Sequence, residues 1–279
     1  MPVGGYVDVI LADGRVICDF NSPQGYLGFT VGDEHGYTTL AYPAGFPITG
    51  MAANAATANG TIVGGANGYV VTWSGPDMTP SVLGRINGQN TTAISASRNG
   101  KYLVGVSGTD DQAEAFVYSN GIFTTITVPG FAYVEASGVN NAGTVIGYAI
   151  DGASNTRVAW EWRDGRLTYL PGLPGDTIVS PASINDNGLI VGTDGLHALL
   201  WDADGTAYSL DDLSNAAAME DGVGYAYSIN DSNQIIGAGG GNAYPGETVP
   251  FLLNPIAIPE PASAAGGLAL LPLLSRRKR

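Results

Sequence analysis

The segment Ser183-Ile184-Asn185-Asp186-Asn187-Gly188-Leu189-Ile190-Val191-Gly192 recurs in altered form along nearly the whole chain. No other feature narrows the possible folds as much, because a repeated segment folds the same way each time and stacks on its own copies. Its parts read as one β-hairpin. Asn, Asp and Gly accept the positive-φ backbone of a tight turn, and Leu, Ile and Val suit a buried pleated strand. The closing Gly admits a neighbouring backbone or ends the strand. Five further copies align by eye: Ile10 to Cys18, Ala56 to Gly64, Ile94 to Gly105, Val139 to Gly147, and Ile229 to Gly237, where Asn233 stands in for the turn Gly. The closing positions 18, 64, 105, 147, 192 and 237 lie 41 to 46 residues apart. That period matches a four-stranded propeller blade better than a helical or leucine-rich solenoid unit.

A second unit fills the space between the hairpins: an aromatic-containing strand, a Gly or Asp turn, and another strand. Ala115 to Ile126, Val158 to Leu170 and Ala198 to Leu210 show it best, with weaker versions near Gly28 to Leu40 and Val70 to Leu83. Two hairpins per repeat predict four strands. No stretch of ten or more residues carries a 3.6-residue apolar period, so the expected class is all-β. The chain opens on a hairpin and closes, at Val249 to Pro255, on a lone outer-type strand. Joining the two in one sheet would complete a sixth blade and remove exposed edges. A six-bladed β-propeller-like domain over 1–256 is therefore expected, seven blades if residues precede Met1, and an open β-solenoid as a third arrangement.

Charge narrows the partners. The net charge is −14, but Arg276, Arg277, Lys278 and Arg279 supply four of the eleven positive charges, leaving seven against twenty-five acids, or −18, for the rest. A body that acidic repels nucleic acid and anionic membrane surfaces. The single cysteine, Cys18, excludes an intrachain disulfide; standing where other hairpins carry their closing Gly, it reads as a small buried residue. Met1-Pro2-Val3-Gly4-Gly5 is uncharged and runs straight into the strand-like Tyr6 to Ile10, so no secretion signal is read there.

After Pro255 the composition changes. Ile258-Pro259-Glu260-Pro261 continues neither sheet nor helix, Ala264 to Leu274 is wholly apolar or small, and four basic residues follow. As a helix at about 1.5 Å per residue, the apolar stretch reaches about 16 Å, against roughly 30 Å of hydrocarbon, which suits a transient signal better than a permanent anchor. The order Pro259-Glu260-Pro261, short apolar segment, Arg276-Arg277-Lys278-Arg279 resembles the PEP-CTERM sorting signal of Gram-negative bacteria that make exopolysaccharide. That resemblance, over 257–279, implies recognition by a membrane-embedded exosortase, transient membrane insertion, cleavage near the Pro-Glu-Pro, and delivery to the surface or extracellular matrix. It also implies an N-terminal signal peptide, so either the start is incomplete or mis-called or the tail is unused; a truncated gene whose product never leaves the cytoplasm is a third reading. The repeats themselves, best seen from Phe116 to Gly147 and in the copies ending at Gly192 and Gly237, are similar to the HAF repeats of extracellular bacterial proteins. This similarity implies an extracellular propeller-like protein and supplies no catalytic residues.

Enzyme signatures are scarce. The two histidines are His35 and His197, and no Gly-x-Ser-x-Gly elbow is present. A Ser-His-Asp site assembled from distant residues stays geometrically open, yet His197 reads as a partly exposed structural residue. Asp202 and Asp204, Asp211 and Asp212, and the cluster Asn185, Asp186 and Asn187 could offer oxygens to Ca²⁺, but turn chemistry accounts for the same residues. Trp73, Trp160 and Trp201 stand at similar places in their repeats, which favours a core role over sugar stacking, and Trp162 falls on the same strand face as Trp160. The expectation is a monomeric, non-enzymatic binding or structural protein of the extracellular matrix, without a cofactor, partnered by exopolysaccharide or surface proteins. The alternative is a glycan hydrolase or lyase using carboxylates in the propeller channel.

Overall fold

The computed structural model describes residues 7–255 and 274–276, apart from 12, 22–26, 34–35, 48–49, 110, 155, 214–223 and 241–247. Six four-stranded antiparallel groups follow one another, each with its strands side by side in chain order. The first contains β1 (Val7–Ile10), β2 (Val16–Asn21), β3 (Leu27–Asp33) and β4 (Gly36–Thr39); the second β5 (Met51–Ala56), β6 (Ile62–Ala66), β7 (Tyr69–Ser74) and β8 (Thr79–Gly84). The third has β9 (Thr91–Ala96), β10 (Leu103–Gly108), β11 (Ala113–Ser119) and β12 (Ile122–Ile126); the fourth β13 (Tyr133–Val139), β14 (Val145–Asp151), β15 (Thr156–Arg163) and β16 (Arg166–Leu170). The fifth comprises β17 (Ser180–Ile184), β18 (Ile190–Thr193), β19 (Ala198–Trp201) and β20 (Ala207–Ser209), followed by the single helical turn α1 (Leu210–Leu213). The sixth holds β21 (Tyr225–Ile229), β22 (Ile235–Gly240), β23 (Thr248–Pro255) and β24 (Leu274–Arg276). A short parallel step, Ala113 opposite Tyr133, links the third and fourth groups into one eight-stranded sheet.

Two hairpins per repeat are thus present in all six repeats. The shared closing sheet expected of the two ends is not. The Gly28 to Leu40 segment gives the first group its own third and fourth strands, and β24 pairs with β23 as the fourth strand of the last, Leu253 opposite Arg276. The apolar sorting helix expected over Ala264 to Leu274 falls largely outside the described residues; where they resume, at Leu274, the backbone is a strand. Among the described residues no helix is long and apolar enough to cross a membrane.

The repeated motif maps onto the turn between the first and second strands of each group. Its backbone bonds recur: Thr57 N–H to Thr61 C=O, Asn140 N–H to Thr144 C=O, Asn185 N–H to Leu189 C=O and Asn230 N–H to Gln234 C=O. The residue ending the turn is left-handed, with φ of 80° at Gly188 and 59° at Asn233, so Asn does replace Gly there. The closing Gly has a different cause. A Cβ at Gly64, Gly105, Gly147, Gly192 or Gly237 would collide with the carbonyl oxygen of Ala52, Thr92, Glu135, Ser180 or Tyr225 on the first strand. A register shift after each of these pairings leaves one first-strand residue extra: Asn54, Ile94, Ser137, Ala182 and Tyr227 in the second to sixth groups. Cys18 takes the closing position in the first group but is only partly buried. Its neighbour Ile17, fully buried, holds the core face, and strand alternation turns Cys18 to the other.

The residues fall into two compact units, Met1–Thr156 with Trp160–Thr168, and Arg157–Ala159 with Tyr169–Arg279. In the first unit the core lies between successive sheets. Ile17, Phe29 and Val31 pack with Ile62, Val71 and Trp73, while Val63 and Val70 pack the other way, with Ala93, Leu103 and Phe116. A strand such as β6 is therefore buried on both faces, each large apolar side chain contributing roughly 1.5–3 kcal/mol. The second unit does the same with Leu189, Val191 and Leu200 against Ala226, Ile235 and Phe251. Trp73, Trp160 and Trp201 are fully buried, as core residues should be. Their places differ, however. Trp73 and Trp201 stand opposite Ile62 and Ile190 and donate their indole N–H to the linker carbonyls of Ala41 and Pro171, at 2.8 and 2.7 Å. Trp160 instead packs on the closing Gly147, as Phe251 packs on Gly237, and its Nε1 has no hydrogen-bond partner among the described residues.

Candidate functional site

The turn between the second and third strands of a repeat, and the linker into the next repeat, lie at the same end of the sheets. Hydrogen bonds fasten them together: Thr91 N–H to Gly68 C=O, Ala113 N–H to Ala132 C=O, Arg157 N–H to Thr177 C=O, and Thr193 Oγ1–H to Gly224 C=O. The place of these fastenings recurs, while their donors and the side chains around them do not. Fold-determining chemistry is concentrated at the opposite turns, so the junctions are free to carry function.

Two junctions of the first unit form open clefts. One, of about 540 Å³, lies between the Asn67-Gly68 turn and the start of β9, lined by Ala52, Gly65, Asn67, Asn90 and Thr92. The next, of about 510 Å³, lies between the Thr109 to Gln112 turn and the linker into β13, with Asn87, Gln89, Gln112, Glu114 and Phe131 in its wall.

The second unit places ionisable groups at its junction. Asp194, its side chain fully buried, accepts the N–H groups of Leu196 and His197 on Oδ1 and meets the His197 ring Nδ1 at 2.9 Å with Oδ2. Burial opposes ionisation of Asp194, but these bonds outweigh it and hold the carboxyl below its ordinary value. Burial pushes Asp176 up, and the Asp194 carboxylate adds to that, while the N–H of Leu173 opposes it. The His197 pKa is raised chiefly by its bond to Asp194, with smaller contributions from Asp211 and Asp176. The imidazole side chain stays 43% exposed, with one ring nitrogen oriented inward by a carboxylate.

The sign of the pH response follows. A histidine raised on folding contributes stability below its unfolded value, about 6.5, and that contribution is lost as pH rises through the folded value. Asp194, held low, contributes above about 3.9 and is lost in acid. Urea unfolding of the native chain should therefore show stability falling as pH rises above about 6.5. In Asp194→Asn, which keeps an oxygen for the two backbone donors, this slope should flatten; an unchanged slope would remove the pair as its source.

β21 adds an aromatic surface to the same junction. Tyr225 and Tyr227 are 43% and 56% exposed, their rings nearly parallel at 13° with centroids 6.3 Å apart. The extra residue in β21 is Tyr227. The Thr193–Gly224 bond ties the loop bearing Leu196, 75% exposed, and His197 to the start of this strand. Sequence reasoning passed over both features: Asp176 reaches the Asp194–His197 turn from the separate linker before β17, and the Tyr-x-Tyr spacing, visible in the chain, says nothing of exposure.

The other sequence candidates resolve differently. Asp202 spends its oxygens on the N–H groups of Asp204 and Thr206 and on the Tyr208 hydroxyl. Asn185 and Asn187 are engaged in turn and cross-repeat bonds. Among the described residues no three or more His, Cys, Asp or Glu side chains gather to hold a metal ion. Pro259, Glu260, Pro261, Arg277, Lys278, Arg279 and His35 lie outside the described residues, and Arg276 is in β24.

Neither a family model nor a curated protein sequence matches the chain. Solved structures do resemble it. TolB from Acinetobacter baumannii is 13% identical with a TM-score of 0.50, over 82% of this chain and 57% of its own. Dipeptidyl peptidase 4 of Porphyromonas gingivalis is 10% identical with a TM-score of 0.56, over 88% of this chain and 44% of its own. Virginiamycin B lyase from Staphylococcus aureus is 9% identical with a TM-score of 0.51, over 85% of this chain and 77% of its own. The chain thus spans just over half of the TolB chain and less than half of the peptidase. Identities this low bear on fold alone, and with TolB and the lyase as neighbours the repeats have the β-propeller type of all-β architecture.

Proposed function

We propose that the chain is a secreted or cell-surface repeat protein that binds matrix polysaccharide without transforming it. An exosortase-type enzyme acting near Pro259-Glu260-Pro261 would deliver it there. The fold does not choose between binding and catalysis, since its neighbours include a peptidase and a lyase beside TolB. The observation that carries the reading is the exposed pair Tyr225 and Tyr227. Two near-parallel phenol rings side by side on a strand present apolar faces with polar tips, the surface on which the C–H face of a sugar ring packs. The first strands support it: their carboxylates are Asp8 and Glu135, and Glu135 already accepts the Tyr133 hydroxyl. A glycan-active hydrolase or lyase is the second reading, and the oriented His197 is the observation in its favour.

Depletion assays on insoluble cellulose, mannan, β-1,3-glucan and chitin test the proposal. One of them should remove the full-length chain from solution, and Tyr225→Ala with Tyr227→Ala should weaken that binding at least tenfold at an unchanged melting temperature. Release of soluble sugar that disappears in His197→Asn would replace the binding reading with the enzymatic one. On the native protein, a surface form whose mass ends near Pro259 checks the delivery route.

A further inference from the structure

We infer that the two junction clefts of the first unit, at corresponding places in successive repeats, are subsites for uncharged saccharide units. The inference rests on the binding reading above and goes further, naming a second location, a ligand charge and a stoichiometry.

Position is the first argument. Each cleft lies between the second-to-third strand turn of one repeat and the linker into the next, at 67–68 with 90–92 and at 109–112 with 131–134, and the second is walled further by Ile86, Asn87 and Gln89 of the linker into β9. They are the same topological place in successive repeats, so a ligand built from repeating units meets an amide-bearing cleft of similar size twice, the amide supplied by the linker (Asn90) in the first and by the turn (Gln112) and an adjoining linker (Asn87, Gln89) in the second. Volumes of about 540 and 510 Å³ lie within the range of small-ligand sites.

Chemistry is the second. The side-chain amides of Asn90 in the first cleft, and of Asn87, Gln89 and Gln112 in the second, make no hydrogen bond within the described protein, although backbone groups of three of these residues do. A primary amide offers two donors and an acceptor in one plane, the pattern that answers a pair of adjacent hydroxyls. Among the described residues, the first cleft has no charged side chain in its wall and the second has Glu114, with Asp111 on the turn that frames it. Neither offers a cation to an anionic ligand, and a body at −18 outside its basic tail repels one. A cationic ligand would find no carboxylate in the first cleft. Small apolar floors, Ala52 and Gly65 in the first and Phe131 in the second, leave room for the less polar face of a ring. An uncharged, hydroxyl-rich ring satisfies all of these conditions together.

Side-chain amide resonances of the full-length chain provide the test. Methyl glycosides of glucose, mannose, galactose and N-acetylglucosamine are titrated in turn, with glucuronate as the charged control. The expected result is that one neutral glycoside shifts the Asn90 and Gln112 amides together at millimolar concentration, and glucuronate shifts neither. Asn90→Ala should weaken binding at the first cleft at least tenfold and leave the Gln112 response intact, and Gln112→Ala should do the converse. Both positions are exposed, so melting temperatures should hold and separate lost binding from lost folding. Shifts confined to Tyr225 and Tyr227 would overturn the inference while leaving the binding reading standing. Equal shifts with glucuronate would overturn its charge argument. No response to any glycoside at either place would overturn both.

Discussion

Gly147→Val should lower stability by about 3–5 kcal/mol. Gly147 lies in β14, where a Cβ would strike the carbonyl oxygen of Glu135 on β13 and the indole of Trp160, whose Cε2 is 2.8 Å away. A flexible side-chain tip could retreat from such a contact. Here one obstacle is the backbone of a hydrogen-bonded partner strand, and the other is a fully buried ring. Valine adds branched bulk to a collision that alanine would already make. Gly152 is the control, because it has open space around its Cα and no left-handed φ. Gly152→Ala should stay within about 0.5 kcal/mol of the parent, or gain slightly from a stiffer unfolded chain. Parallel urea titrations decide the matter, and a loss below about 1 kcal/mol in Gly147→Val would show that the strands do not approach as described.

That glycine was legible in the sequence because its constraint is local and repeated. The same holds for the turns, where Asn233 was recognised as standing in for Gly188 and its counterparts and does carry a positive φ. The tryptophans show where repetition misleads. Trp160 and Trp162 are two residues apart on one strand face, so either could match Trp73, and the longer turn from Asp151 to Thr156 removed the spacing that would have chosen. The assignment of the chain ends failed for a related reason. Gly28, Gly32 and Gly36 dilute the alternation of β3 and β4, so a complete first sheet read as an unpaired hairpin. Function was least legible. Asp194 and His197 share the turn between β18 and β19, but Asp176 comes from the linker before β17, and no spacing rule connects it to them. Asn90 and Gln112 look like ordinary turn residues until the structure shows each in a junction cleft, one on its linker side and one on its turn side, with amides unspent.

Asn185→Ala should cost about 3 kcal/mol and loosen the strand that bears the tyrosine pair. Asn185 is only 3% exposed, and its side chain works in two directions. Oδ1 accepts the N–H groups of Asn187 and Leu189 within its own turn, at 3.1 and 2.9 Å. Nδ2 donates to the Asn230 carbonyl and to Asn233 Oδ1 in the next repeat, at 3.0 and 2.8 Å. Each bond contributes about 1 kcal/mol net, and truncation leaves the buried Leu189 N–H without its acceptor. Asn185→Asp separates the two directions: it keeps both accepted bonds but sets a carboxylate against two acceptors, so its deficit should grow as pH rises above about 4. A double-mutant cycle with Asn233→Gly, which retains the left-handed backbone, should give a coupling of about 1 kcal/mol; zero coupling would refute the cross-repeat bond. The consequence reaches the proposed binding surface. β21 is held at its start by Thr193 on Gly224 and at its end by Asn185 on Asn230. Releasing the second fastening should lower amide-exchange protection across Tyr225 to Ile229 by ten- to a hundredfold and weaken polysaccharide binding, although Asn185 itself lies away from the rings. Unchanged protection in Asn185→Ala would mean that the sheet, and not the turn, positions Tyr225 and Tyr227.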